Sequence, residues 1–197
     1  KHYLYFSAQK QKNFSITLRE NLFTIELQKL KLKNKNTLEI GCNDGYLLNL
    51  LKKKKYKVTG VEPGNSAHTA KKNGIKVYKK YFSPNLFEKK NENFDIIICR
   101  HLLEHIKDCD SFILNLKKIL SNKGIIALEL PNVEYYIKKT SGETFFLQHY
   151  HYFSSHSVKR LFSQNGMKVF KIVNFSGDMI VFAKRKDTNV KVSSLDP

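Results

Sequence analysis

The stretch Thr37-Leu38-Glu39-Ile40-Gly41-Cys42-Asn43-Asp44-Gly45-Tyr46-Leu47-Leu48 constrains this chain more than any other. It reads as a buried strand, a glycine-bracketed turn and the start of a helix whose apolar face continues through Leu50 and Leu51. An apolar strand that feeds a Gly-x-x-x-Gly turn and then a helix is how α/β folds present backbone N–H groups to a nucleotide. The rest of the chain reads as the remainder of such a fold.

Tyr56 to Glu62 predicts a second strand ending in an acid, and Gly74 to Tyr78 a third, with a short helix over Ser66 to Asn73 between them. Ser83 to Lys90 reads as a loop or short helix. Phe94 to Cys99 is a near-continuous apolar run, the pattern of a strand covered on both faces. Asp108 to Leu120 is an amphipathic helix stopped near Asn122-Lys123-Gly124, and Ile125 to Leu130 is another buried strand ended by Pro131. Ser154 to Gln164 predicts a helix, and Met167 to Val173 with Asp178 to Ala183 a closing antiparallel pair around Ser176-Gly177. Strand–helix alternation implies a parallel sheet with right-handed crossovers. The expected fold class is therefore α/β: a Rossmann-like, seven-stranded, mostly parallel sheet with helices on both faces and an antiparallel C-terminal strand pair.

Before the first strand, Phe14 to Leu32 carries apolar residues at mostly helical spacing behind Asn13 as a cap. Residues 1–12 set Tyr3, Tyr5 and Phe6 among polar residues, which suits a frayed terminus or a flap over a ligand. Asn132 to Phe153 breaks the pattern as an irregular insertion rich in Tyr and Phe that carries His149 and His151. The expected layout is an N-terminal flap and helix over 1–32, one domain over 33–184 with its aromatic insertion at 132–153, and a polar tail over 185–197.

Composition narrows the class. Hydrophobic residues make up 41% of 197, enough for a real core, and no apolar run approaches a membrane span. Lys1-His2-Tyr3-Leu4 does not read as a secretory leader, and a first residue other than Met fits a processed product or a fragment. Cys42, Cys99 and Cys109 have no zinc-ligand spacing, which suits free thiols in a reducing cytoplasm. The net charge is +18, yet Arg19, Arg100, Arg160 and Arg185 are the only arginines among 35 basic residues. Phosphate recognition recruits Arg more readily than Lys, so a nucleic-acid partner is disfavoured, while an anionic small substrate would be attracted. A monomer or homodimer is expected.

The turn lacks the third glycine that a pyrophosphate needs, which disfavours a nicotinamide dinucleotide. Glu62 stands roughly 20 residues after Gly41, at the tip of the second strand, where a carboxylate can accept both hydroxyls of a ribose. Glu39 to Gly45, then Gly60-Val61-Glu62-Pro63, then Leu102-Leu103-Glu104-His105-Ile106 together resemble the class I S-adenosylmethionine-dependent methyltransferases. The likeness runs from about Leu38 to Phe182. Within that class, Gly41 to Leu48 and Gln148-His149-Tyr150-His151-Tyr152-Phe153-Ser154 are most similar to the sugar C-methyltransferases and related capsule and antibiotic-sugar enzymes.

The resemblance implies that Glu39, Gly41, Cys42, Asn43 and Gly45 cradle the methionine and ribose of S-adenosylmethionine, with Glu62 on the ribose hydroxyls. It places Phe82 by the adenine, lines the cofactor with Cys99, Arg100 and His101, and closes Tyr5 over the methionine end. S-adenosylhomocysteine would be the product. Methyl transfer is an in-line displacement at the sulfonium methyl, and a hydroxyl or acidic C–H acceptor also needs a base, for which histidine is the natural group. His149 is the first candidate, His105 could face the same cleft, and Tyr152 could orient either group or the substrate. In the sugar C-methyltransferases an acid precedes that histidine and a tyrosine stands three residues before it; this chain has Gln148 and Phe146 there. The reduced set favours oxygen over carbon as the acceptor, on a sugar, a nucleotide-linked sugar or a related polysaccharide precursor. The rival expectations are an RNA or protein methyltransferase, and a non-catalytic member that only binds the cofactor.

Overall fold

The computed structural model describes residues 14–88, 91–140, 142 and 145–187. They fall into two compact units that divide after Phe82.

The first unit opens with α1 (Phe14–Lys29), which turns Phe23 and Leu27 inward, followed by buried Leu30. β1 (Asn36–Ile40) pairs in parallel with β2 (Lys57–Val61), and β2 pairs in parallel with β3 (Lys76–Tyr78). Between β1 and β2 lies α2 (Tyr46–Lys53), which buries Leu47, Leu48 and Leu51. Its first cap is Gly45 at φ 77°, a left-handed conformation that costs a residue with a Cβ about 1–2 kcal/mol. Lys52 and Lys53 close the helix where its dipole favours cations. α3 (Ser66–Lys72) lays Ala67 and Ala70 against Cys42, Leu48, Ile75 and Val77.

A close approach ties the turn to the sheet. A Cβ on Gly60 of β2 would stand 2.5 Å from the Cys42 Sγ and 3.2 Å from Leu48 Cδ1. The Cys42 side chain therefore packs as a small hydrophobe, and burial pushes its thiol far above the ordinary range. Gly60→Ala should destabilise the protein by about 1–3 kcal/mol through overpacking. Thermal unfolding checks this, and a companion Cys42→Ala should recover part of the loss. A change within roughly 0.5 kcal/mol, as at ordinary surface sites, would show that the approach is not tight.

The second unit begins with the short α4 (Asn85–Glu88) and β4 (Phe94–Arg100). A 3₁₀ turn over Leu103–His105 leads to α5 (Cys109–Ile119), capped by Asp108 accepting from the Ser111 N–H at 2.9 Å. That bond and the Ser111 side chain hold the Asp108 carboxyl below its ordinary range. β5 (Leu120–Pro131) runs parallel to β4, and α6 (Val133–Lys138) follows it. α7 (Ser155–Gln164) begins with a reciprocal Ser154–Ser157 capping box. β6 (Met167–Phe175) and β7 (Asp178–Arg185) form an antiparallel pair, and β7 lies antiparallel to β5. The sheet order is β3-β2-β1-β4-β5-β7-β6, the expected fold class.

Two elements differ from the sequence reading. α5 ends at Ile119, and Asn122-Lys123-Gly124 lies inside β5 rather than in a turn. Leu120 is extended and buried opposite Phe94, while Ile125 pairs with Ile96, so the residues between form a bulge. A Cβ on Gly124 would meet Leu120 Cδ1 at 2.7 Å, so the glycine serves the bulge and not a helix stop. The second difference is α6, inside the segment expected to be irregular. It buries no side chain, so no apolar face announced it. Its start is set by Asn132, whose Oδ1 accepts from the Glu134 N–H at 3.0 Å.

Candidate functional site

In the first unit the turn after β1 is fastened at both ends. The Gly41 and Cys42 N–H groups both donate to the Val61 carbonyl, at 2.8 and 3.2 Å, and the Gly45 N–H donates to the Cys42 carbonyl. Gly41 and Asn43 have φ of 75° and 49°, so the backbone curls through left-handed conformations that glycine and asparagine tolerate. Glu62 clamps this curl. Its Oε2 accepts from the Asn43 N–H at 3.1 Å and its Oε1 accepts from the Gly64 N–H at 2.7 Å. Each carboxylate oxygen keeps a further lone pair, so the clamp leaves Glu62 able to accept hydroxyl donors. Gly64 was absent from the expected set. A Cβ there would sit 2.8 Å from Glu62 Oε1, so a side chain at this position would make the carboxylate shift from this contact. Glu39 is buried in β1, and Phe82 is half-buried after β3. Tyr5 lies outside the described residues.

In the second unit, the end of β4 is a buried charge cluster. Arg100 Nε donates to Glu129 Oε2 at 2.5 Å, with the two side chains 8% and 0% exposed. His101, at φ 45°, continues the ladder by donating its N–H to the Glu129 carbonyl at 2.8 Å. Its Nδ1 stands 3.5 Å from Glu104 Oε1, and its Nε2 lies 3.5 Å from Glu129 Oε1 and 3.9 Å from Asp178 Oδ2. Burial pushes the Glu129 carboxyl up, but the Arg100 guanidinium and His101 outweigh it and hold the group at about 2. A depressed carboxylate contributes stability above its ordinary pKa and loses it as pH falls through the folded value. Glu129's share should therefore be intact at pH 5 and disappear between about pH 4.5 and pH 2. An acid titration followed by circular dichroism should lose that component in Glu129→Gln; an unaltered acid limb would count against the assignment.

The expected cofactor-lining residues of this strand thus have structural partners. Cys99 is buried in the core, and Arg100 is engaged by Glu129. Glu129 and Asp178 were not singled out from the sequence. The available signal was an acid in the apolar run Ile125 to Leu130, a position that normally demands a buried partner.

The aromatic insertion returns to the turn after β4. The Tyr150 and His151 N–H groups donate to the Glu104 carbonyl at 2.8 and 3.3 Å. His105 Nδ1 bonds the Gln148 carbonyl at 2.9 Å, and His151 Nε2 bonds the Lys107 carbonyl at 3.1 Å. Two backbone segments are thereby stitched together by backbone and imidazole hydrogen bonds. The structure brings His149, His105 and Tyr152 into one group. The His149 ring lies 4.8 Å from His105, 5.1 Å from Phe146 and 5.9 Å from Tyr152, centroid to centroid. Glu104, Val133, His149, Tyr152 and Phe153 line a narrow pocket there. Phe145, Phe146, Leu147 and Tyr150 remain largely exposed around it.

The described residues contain no helix long and apolar enough to cross a membrane. The sequence profile of the methyltransferase domain matches residues 12–172. The chain is 31% identical over 123 residues to the ubiquinone biosynthesis O-methyltransferase of Pelagibacter ubique, covering 58% of this chain and 51% of that protein. It is 26% identical over 153 residues to the C-methyltransferase NovU of Streptomyces niveus, covering 74% of this chain and 36% of that protein. The chain thus spans about half or less of the length of these curated relatives. Its fold matches magnesium protoporphyrin IX methyltransferase from Synechocystis, solved with S-adenosylhomocysteine bound, with a TM-score of 0.65, 15% identity and 89% of each chain covered. The clamped Gly-x-x-x-Gly turn, the strand order and the extent of the profile match agree: the chain belongs to the methyltransferase-domain family, of the S-adenosylmethionine-dependent type.

Proposed function

We propose that the chain transfers the methyl group of S-adenosylmethionine to an oxygen of a small-molecule acceptor: a sugar, a nucleotide-linked sugar or a related cell-surface polysaccharide precursor. The observation that carries the cofactor half is the Glu62 clamp, which holds the Gly41–Gly45 turn in one shape and keeps carboxylate lone pairs for ribose hydroxyls. Glu39, Gly41, Asn43 and Gly45 belong to this cradle through their backbone and the buried acid. In the acceptor half, an acceptor oxygen attacks the methyl carbon in line with the C–S bond. The C–S electron pair goes to sulfur, leaving S-adenosylhomocysteine, and His149 takes the hydroxyl proton. The exposed rings around His149 give the apolar face of a sugar a surface to rest on. A cytoplasmic setting suits the three buried free cysteines.

Calorimetry tests the cofactor reading. S-adenosylhomocysteine should bind and NAD should not; the opposite pattern ends the proposal. Glu62→Ala removes both the clamp and the hydroxyl acceptor, so affinity should fall at least about tenfold, ~1.4 kcal/mol. Transfer to carbon is the second reading, favoured by the likeness to the Streptomyces niveus enzyme. A methylated product identified from nucleotide-linked sugars by mass, with its new methyl located by NMR, separates oxygen from carbon.

A further inference from the structure

We propose that Asn132, the residue after β5, is a positioning residue for the acceptor. It ties the pocket wall that faces His149 to the β6–β7 hairpin, and so sets where an acceptor rests. The inference rests on the acceptor reading of the His149 pocket given above.

Asn132 stands where four pieces of chain meet: the end of β5, the start of α6, the hairpin and the end of the aromatic insertion. It is 5% exposed, so its polar groups need partners inside the protein. Its N–H donates to the Gly177 carbonyl of the hairpin turn at 2.9 Å. Its Oδ1 accepts from the Glu134 N–H at 3.0 Å and caps α6. With Oδ1 committed to a donor, the amide presents Nδ2 to β6, where it donates to Asn174 Oδ1 at 3.1 Å. An isolated parallel bridge pairs Asn132 with Phe153, and the Val133 N–H donates to the Phe153 carbonyl at 2.9 Å.

Pro131, Val133 and Phe153 line the pocket together with His149 and Tyr152. The first two are the chain neighbours of Asn132, and the third is its bridge partner. One wall is therefore the chain on either side of Asn132. The opposite side is held separately, through the His105 bond to the Gln148 carbonyl and the Tyr150 N–H on the Glu104 carbonyl. The width between the two sides depends on what fixes the Asn132 wall. Packing of α6 does not supply that, because the helix buries no side chain. The hairpin does: Asp178 pairs with Pro131 and Asn174 with Met179, and Asp178 and Met179 are buried. The Asn132 side chain thus joins the wall to a rigid part of the sheet.

The experiment follows amide hydrogen exchange by NMR on the full chain. In Asn132→Ala the Val133 N–H, which donates across to Phe153, should exchange at least about tenfold faster, while the Tyr150 N–H keeps its rate. Asn174→Ala, at an exposed position of β6, removes one anchor and should give a smaller change of the same pattern; it decides the matter if Asn132→Ala fails to fold. Asn174→Asp keeps an oxygen for Asn132 Nδ2 and should retain the wild-type rate. Transfer of labelled methyl from S-adenosylmethionine to a pool of nucleotide-linked sugars reads the function. In Asn132→Ala the apparent KM for the pool should rise at least about tenfold, with the KM for S-adenosylmethionine unchanged. A purely stabilising role would lower the active fraction, and hence kcat, without moving KM. Equal acceleration at both amides, an unaltered Val133 rate or an unaltered KM for the pool overturns the proposal. Absence of transfer in the unsubstituted protein would instead end the acceptor reading, and the exchange pattern would still decide whether Asn132 fixes the wall.

Discussion

Glu129→Gln should cost about 3–5 kcal/mol of folding stability, which for a chain of this size lowers Tm by roughly 6–20 °C. The substitution keeps the shape of the side chain and removes its charge. Arg100 then keeps a guanidinium 8% exposed with its 2.5 Å partner neutralised, and His101 loses one of the carboxylates facing it. Breaking one side of a buried pair costs much more than the pair is worth against a hydrophobic replacement, because the orphaned charge stays desolvated. The effect should spread along the sheet, since Glu129 sits in β5 with β4 on one side and β7 on the other. Urea unfolding at neutral pH measures the loss. Glu88→Gln, at an exposed position of α4, provides the comparison and should stay within about 0.5 kcal/mol. Equal losses in the two variants would mean that the cluster is incidental to stability.

The second large effect concerns chemistry. His149→Ala should lower kcat by about 10²–10⁴-fold while the affinity for S-adenosylhomocysteine changes less than about threefold. The expected separation follows from where the residue sits. His149 is held by rings of the aromatic insertion and the His105 turn, whereas the cofactor cradle proposed above consists of Glu62 and the Gly41–Gly45 turn of the first unit. A paired measurement of turnover and calorimetric affinity decides the matter. Unchanged turnover would remove His149 from the reaction. A parallel loss of turnover and cofactor affinity would show a structural role instead. His151 offers a contrast, because its Nε2 is already spent on the Lys107 carbonyl and its replacement should loosen the insertion.

Much of the fold was legible from local pattern. The apolar runs of β1, β4 and β5, the leucine face of α2 and the serine cap of α7 each carry a periodicity or cap that acts within a few residues. The sites were legible in part. Gly41, Gly45, Glu62 and His149 stand out because glycine spacing and residue type are visible in one dimension. The bulge at Gly124 was not legible, because Asn-Lys-Gly satisfies a turn as readily as a bulge. Burial of Leu120 opposite Phe94, more than 20 residues away in the chain, made the choice.

The sequence by itself determined the α/β class, the position of the nucleotide-type turn and the residue types available for proton transfer. Those properties follow from hydrophobic period, backbone permissiveness and side-chain chemistry, which need no partner. Only the tertiary structure decided what each charged group faces. It fastened Glu62 to the turn, committed Arg100 to Glu129, surrounded His101 with three acids, and set Glu104 beside two histidines. Electrostatic properties depend on distances of a few ångströms between residues far apart in sequence, and burial multiplies their strength. That is why the Gly41–Gly45 turn could be recognised from its letters, while the cluster around Glu104 and Glu129 emerged only once the strands were placed side by side.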